Sequence, residues 1–156
     1  MNMNISLTGM DPAMIEALGL GIGAAVLIGI VAALTRYLMH AIGFSAMYRK
    51  AGVAGWKAFI PVYDIYNNYK ISWNGKLFFL YAALIVASTI LGTFTEGTMA
   101  LVGTAVSIGT IYMTVMQNVK MAKRFGKGVG TGILLILFPG ITSLVLGLGK
   151  AEYITE

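Results

Sequence analysis

Residues 13–35 read AMIEALGLGIGAAVLIGIVAALT, and one charged side chain, Glu16, interrupts this apolar run near its start. A helix needs about 20 residues to cross the hydrocarbon core of a bilayer, so the segment is long enough to span one. The rest of the chain is similar in character, because 58% of all residues are hydrophobic and 11% are charged. Soluble domains are roughly 25% charged. Composition therefore predicts an integral membrane protein.

Three further apolar segments follow, and we predict spans at 77–94, 99–119 and 131–149. The last of these is interrupted by Pro139-Gly140, where a kink is expected and where a re-entrant segment is the alternative to a complete span. The predicted fold is a single all-α membrane domain over residues 1–156. It has four transmembrane helices and an amphipathic interfacial helix within the segment 39–73.

The basic residues predict the orientation of these spans. Ten of the eleven Lys and Arg residues fall in two segments, 36–76 and 120–127. Because short cytoplasmic loops are enriched in Lys and Arg, both segments are expected in the cytoplasm. Lys150 and five of the six acids fall on the opposite side. The predicted location is a bacterial plasma membrane, with both termini outside.

The first loop contains AGWKAFIPVYDIYNNYKISW at 54–73, in which aromatic residues recur close to helical spacing. Proline suits the first turn of a helix, so Pro61 favours a short helix over 61–72. Aromatic rings favour headgroup depth, and we predict that this helix lies in the cytoplasmic interface. A sharper hypothesis is a docking platform for a partner or lipid. Its candidate residues are Trp56, Lys57, Phe59, Tyr63, Asp64, Tyr66, Tyr69, Lys70 and Trp73.

Two further patterns have alternative interpretations. Small residues mark faces of close helix approach in membranes, either between subunits or within one bundle. Such residues are Gly21, Ala25, Gly29 and Ala33 in the first span, with Gly103 and Ser107 in the third. A basic cluster suited to anionic headgroups, or serving only as a topology signal, comprises Lys120, Lys123, Arg124 and Lys127.

The sequence contains few residues that would support catalysis or the binding of a cofactor. General acid–base catalysis normally needs two positioned groups, and on the cytoplasmic side Asp64 has only His40 as a second group. A carboxylate that is stabilised by a helix N-terminus is the simpler interpretation of Asp64. One histidine and no cysteine exclude a multi-histidine or thiolate metal site within one chain. The glycines at 126–132 do not match a P-loop. We therefore expect no enzyme activity, metal, cofactor or nucleic-acid partner.

Two motifs together carry a resemblance: YRKAGVAGWKAFIPVYDIYNNYKISW at 48–73 and AKRFGKGVGTGILLILFPGITSLVLGLGKAEY at 122–153. They resemble a family of small bacterial membrane proteins of unknown function (DUF5684-like), in which Asn is usual where this chain has Asp64. In some bacteria a similar module precedes a type I signal peptidase, which implies a setting in protein export. The resemblance supplies no mechanism.

These observations favour a non-enzymatic membrane protein that assembles with itself or with a larger envelope complex. Its other expected partner is the bilayer, through anionic headgroups. The alternative is a small oligomeric channel or transporter. The spans contain no ionisable residue at mid-membrane depth, which disfavours proton coupling.

Overall fold

The computed structural model describes residues 11–94 and 96–155. Over these ranges the protein is all-helical and has no strand, which confirms the predicted fold class at that level. The helices are α1 (Pro12–Lys50), α2 (Pro61–Ser72), α3 (Leu77–Leu91), α4 (Gly97–Arg124), α5 (Val129–Leu137) and α6 (Pro139–Leu148), with a 3₁₀ helix at Gly55–Phe59. The prediction that both termini lie outside concerns Met1 and Glu156, and these two residues are not among those that the structure describes.

The chain divides into two compact units, residues 1–37 and 38–156, and α1 contributes to both. In the first unit, the described side chains of α1 are all exposed. Two of the described helices, α1 and α4, are long and apolar enough to cross a membrane, whereas α3 and α6 are apolar but shorter. The structure therefore contains two candidate spans of full length rather than the four predicted.

Residues 39–50, the first part of the segment predicted as interfacial, continue α1. The helix ends where Gly52 adopts a φ of +72°, a left-handed conformation that favours glycine. The Val53 N–H then donates to Tyr48 O (2.8 Å) and closes the end of the helix. The segment 39–73 is therefore not one element, because its first part belongs to α1.

The segment predicted as a fourth span is a helical hairpin. It breaks between Leu137 and Pro139 into α5 and α6, each roughly 15 Å long at about 1.5 Å per residue. α5 starts close to the end of α4, and Ile154, beyond the end of α6, donates from its N–H to Arg124 O (2.7 Å). Thr131 near the start of α5 and Val145 near the end of α6 line one cavity. Both ends of the hairpin therefore lie at the Arg124 end of α4.

Close backbone contact holds α6 against the last turns of α1. A Cβ atom at Gly147 would lie 2.6 Å from Gly43 O and 2.7 Å from Ala46 Cβ, so only glycine fits there without a shift. At the end of α6, Lys50 Nζ donates to the carbonyl oxygens of Leu146, Gly149 and Ala151 at 2.9, 2.7 and 2.7 Å. A cation at this point also complements the negative end of the helix dipole.

The core of the second unit lies where α1, α2, α4, α5 and α6 meet. Its largest fully buried side chains are Tyr48, Phe125, Met47, Met121, Leu135 and Leu146. Tyr153 closes this core, since its ring packs on Phe125 (5.6 Å between centroids) and its hydroxyl donates to Ile71 O (2.8 Å). The chain after α6 is thereby held against α2 and α4.

α3 and α4 are antiparallel neighbours. Gly103 of α4 is buried, and a Cβ atom there would lie 3.1 Å from Leu91 of α3. Further along, the Thr114 hydroxyl lies 3.4 Å from the Tyr81 hydroxyl. Of the predicted small-residue positions in α4, Gly103 therefore makes a contact within the unit, and Ser107 hydrogen-bonds back to it.

Candidate functional site

α2 buries several polar side chains and exposes several apolar ones. A helix over 61–72 was predicted, and the structure confirms these bounds, with Pro61 in the first turn. Asp64, Asn67 and Ser72 are buried, whereas Val62, Tyr63 and Ile65 on the same helix are exposed. Water-soluble helices show the opposite arrangement. The buried face also includes Tyr69 and Ile71, so polar groups are enclosed within the core while apolar side chains near the start of α2 stay exposed.

A buried hydrogen-bond network joins α2 to the last turns of α1. Asp64 Oδ2 lies 2.9 Å from His40 Nε2, and the Tyr48 hydroxyl lies 2.5 Å from Asp64 Oδ1 and 2.7 Å from Asp64 O. The Asp64 side chain is 9% exposed and that of His40 is 28% exposed. Each carboxyl oxygen of Asp64 thus has a partner from α1, and these contacts fix where α2 lies.

Tyr48 is the hydrogen donor in this network. It lies outside the predicted span at 13–35 and is fully buried. Burial raises the pKa of the Tyr48 phenol, and the neighbouring charge and hydrogen bond of Asp64 raise it further. Because the phenol keeps its proton, it donates to an Asp64 oxygen in either protonation state of the carboxyl group.

His40, Phe44 and Tyr48 are four residues apart, so they lie on one face of α1. The His40 and Phe44 ring centroids are 4.4 Å apart, and those of Phe44 and Tyr48 are 6.1 Å apart. This spacing is visible in the sequence and was the available signal for the α1 half of the site. From the sequence, His40 was considered as a partner for Asp64, whereas Tyr48 was not.

Three buried polar atoms of α2 have no hydrogen-bond partner among the described residues: Asn67 Oδ1, Asn68 Oδ1 and the Tyr69 hydroxyl. The Asn67 amide donates from Nδ2 to Tyr63 O (2.6 Å), which leaves its oxygen unmatched. Burial raises the pKa of the Tyr69 phenol, and the neighbouring Tyr81 raises it further. Tyr69 therefore stays neutral and is available as a donor.

The outer face of this region is an apolar belt, which we define as Trp56, Phe59, Ile60, Val62, Tyr63 and Ile65. The Trp56 and Tyr63 rings meet edge to face at 5.8 Å between centroids. All six side chains are more than a third exposed, and Val62 reaches 65%. Contiguous exposed apolar surface of this kind marks a membrane or protein contact in folded proteins.

The predicted platform residues do not all share this face. Trp56, Phe59, Tyr63 and Lys70 are exposed, and Lys57, Tyr66 and Trp73 are partly exposed. Asp64 and Tyr69, however, are buried, because α1 supplies polar partners for Asp64 and Tyr81 stacks near Tyr69 at 5.2 Å. The expectation that these two side chains are presented on a platform is corrected accordingly.

The predicted basic cluster is divided by the structure. Lys120, Lys123 and Arg124 line a cavity of about 190 Å³ together with Ser72, Trp73 and Ile154. Lys120 Nζ lies 4.9 Å from the centroid of the Trp73 ring. Lys127 instead borders the cavity beside the α5–α6 hairpin. Three of the four cluster residues are therefore brought together around one cavity.

A model of the family described as "Family of unknown function (DUF5684)" matches residues 56–156. The chain belongs to this family. The resemblance seen in the sequence is thus confirmed, and the match includes α2 and the basic cavity. The α1 half of the hydrogen-bond network, His40 and Tyr48, precedes the DUF5684 match. No curated protein and no solved structure matches the chain.

Proposed function

We propose that this DUF5684 protein is a non-enzymatic integral membrane protein that acts as an accessory subunit, assembling with itself or with a larger complex of the cell envelope, such as one of protein export. The observation that supports this is the orientation of α2, which buries Asp64 and Asn67 while the apolar belt is exposed. Exposed Val, Ile and Trp side chains are unfavourable in water but not in lipid or against a partner. The belt is therefore covered in the working protein.

The structure of the network argues for a supporting role rather than catalysis at Asp64. His40 is a second titratable group within hydrogen-bond distance, as general acid–base catalysis requires. Both carboxyl oxygens, however, are already bonded to α1 side chains, and the Asp64 side chain is largely buried. The network positions α2 and hence the belt, so we assign it to the architecture of the surface.

We place residues 13–35 of α1, together with α3 and α4, across the membrane, and both ends of the α5–α6 hairpin on the cytoplasmic side. Each arm of the hairpin is roughly 15 Å long, about half of the roughly 30 Å hydrocarbon core. In this arrangement Lys150 joins the other ten basic residues on the cytoplasmic side. The positive-inside rule is then satisfied by every basic residue of the chain.

This topology predicts the location of the C-terminal segment. Alkaline phosphatase fused after Tyr153 is expected to be inactive in a bacterial host, because the enzyme folds only outside the cytoplasm, and a fluorescent protein at the same site is expected to glow. Phosphatase inserted after Phe94, between α3 and α4, is the matched control and is expected to be active. An active phosphatase fusion after Tyr153 would instead indicate that residues 131–149 form a complete fourth span.

Assembly is tested through the small-residue stripe of α1, using the absence of native cysteine. With a single introduced cysteine, any disulfide must join two chains. Ala25→Cys is expected to give disulfide-linked dimers in membranes, since small residues permit close helix approach. Leu27→Cys, about 200° around the helix at 100° per residue, is the matched control. The absence of cross-links at Ala25, with a monomer mass in mild detergent and no co-purifying chain, would contradict the assembly proposal.

A further inference from the structure

The cavity at the end of α4 is built by three separate parts of the chain. Ser72 and Trp73 come from the end of α2, the three cations from the last turns of α4, and Ile154 from the C-terminal segment. Ile154 is held there by the hydrogen bond from its N–H to Arg124 O (2.7 Å). The cavity is thus a product of tertiary folding and not of one basic run.

The lining is strongly positive. The described residues that line it include Lys120, Lys123 and Arg124 and no carboxylate. Among the described residues, no ion pair is formed by Lys120 or Lys123. Lys120 instead lies over the Trp73 ring, a cation–π contact that keeps its ammonium group at the cavity. Like charges held this close repel one another, and a bound anion relieves that repulsion.

Two simpler explanations for the three cations account for their charge but not for the cavity around them. The negative end of the α4 dipole stabilises cations in its last turn, and a topology signal needs only their presence in the loop. Neither explanation requires Trp73 and Ile154 to complete a cavity around the cations. Neither distinguishes Lys127, which has the same charge but lines a different cavity.

We propose that this cavity binds the phosphate group of an anionic phospholipid headgroup from the cytoplasmic leaflet. That the phosphate belongs to a lipid rests on the proposed membrane placement. That the cavity binds a phosphate rests on the residues that line the cavity. Lys and Arg donors form charge-assisted hydrogen bonds to phosphate oxygens, and Trp is enriched at headgroup depth. A volume of about 190 Å³ is roughly that of six water molecules at about 30 Å³ each. The space admits a phosphate with part of its glycerol.

The test is native mass spectrometry of the full chain in mild detergent, titrated with phosphatidylglycerol or with phosphatidylcholine of the same acyl chains. We expect the wild-type protein to retain phosphatidylglycerol preferentially. Lys123→Gln is expected to weaken that binding about tenfold, the effect of losing one charge-assisted hydrogen bond. Lys123 is exposed, so the variant keeps its fold. Lys127→Gln, which removes the same charge outside the cavity, is expected to change binding less than about twofold.

Equal weakening by Lys123→Gln and Lys127→Gln, or equal retention of the two lipids by the wild type, overturns the proposal. Inorganic phosphate is added as a competitor. Persistence of the phosphatidylglycerol complex supports the lipid headgroup as the ligand. Displacement at a phosphate concentration similar to that of the lipid overturns the lipid source and assigns the site to soluble phosphate. Recovery of the chain outside the membrane fraction would refute the proposed function instead, so the two failures are distinguishable.

Discussion

Replacing Asp64 by alanine is expected to lower the free energy of unfolding of the second unit by about 3 kcal/mol, the typical cost of breaking a buried charged hydrogen-bond pair. The substitution removes the acceptors of both Tyr48 and His40 and leaves the buried Tyr48 hydroxyl without its side-chain partner. Hydrogen bonds between transmembrane helices average only about 0.6 kcal/mol. We expect the larger figure because this network is buried within the protein, outside the predicted spans.

Two further variants distinguish the loss of the hydrogen-bond network from general damage to the α2 helix. Asp64→Asn keeps an oxygen for Tyr48 and offers an N–H₂ group to the His40 ring, so a loss below about 1 kcal/mol is expected. Tyr48→Phe removes one hydrogen bond and is expected to cost about 1–2 kcal/mol. Chemical denaturation in detergent, followed by circular dichroism, gives these differences. If Asp64→Ala unfolds at the same denaturant concentration as the wild type, the network does not hold α2.

Gly147→Val is expected to destabilise the same unit by about 3 kcal/mol, at the upper end of the usual cost of overpacking. A Cβ atom at this position would lie 2.6 Å from Gly43 O, and backbone atoms cannot move aside as a flexible side chain can. Separation of α6 from α1 would also draw Leu146 O and Gly149 O away from Lys50. The loss of unfolding free energy is therefore expected to be larger than that caused by one steric clash elsewhere in the unit.

Gly109→Val is the matched control for this effect. Nothing lies within 4 Å of a Cβ atom built at Gly109, although it too is a glycine within a helix. Glycine and valine both have lower helix propensity than alanine, so the exchange itself is expected to change stability by less than about 1 kcal/mol. Both variants are measured by the same denaturation. A similar loss in the two would show that close packing of α6 on α1 is not what Gly147 provides.

The local helical structure was largely readable from the sequence. Pro61 and the spacing of the aromatic residues predicted α2 with the bounds that the structure shows. The helical pattern defines two faces of a helix, but it does not say which one meets the protein. In α2 the face that carries Asp64 turns inward because Tyr48 and His40 on α1 bond to Asp64. These partners are 16 and 24 residues away, so no local pattern predicts the contact.

The sequence by itself determined the apolar composition, the helical fold class, the break at Pro139 and the presence of a basic cluster at the end of α4, because these depend on residue type and short-range spacing. The tertiary structure decided that the break reverses the chain, that α2 buries Asp64, and that three of the four clustered cations share a cavity. Each of these depends on contacts between distant residues: Gly147 with Gly43, Asp64 with Tyr48, and Ile154 with Arg124. The physical reason is that close packing and buried hydrogen bonds select among arrangements that local propensity leaves equally favourable.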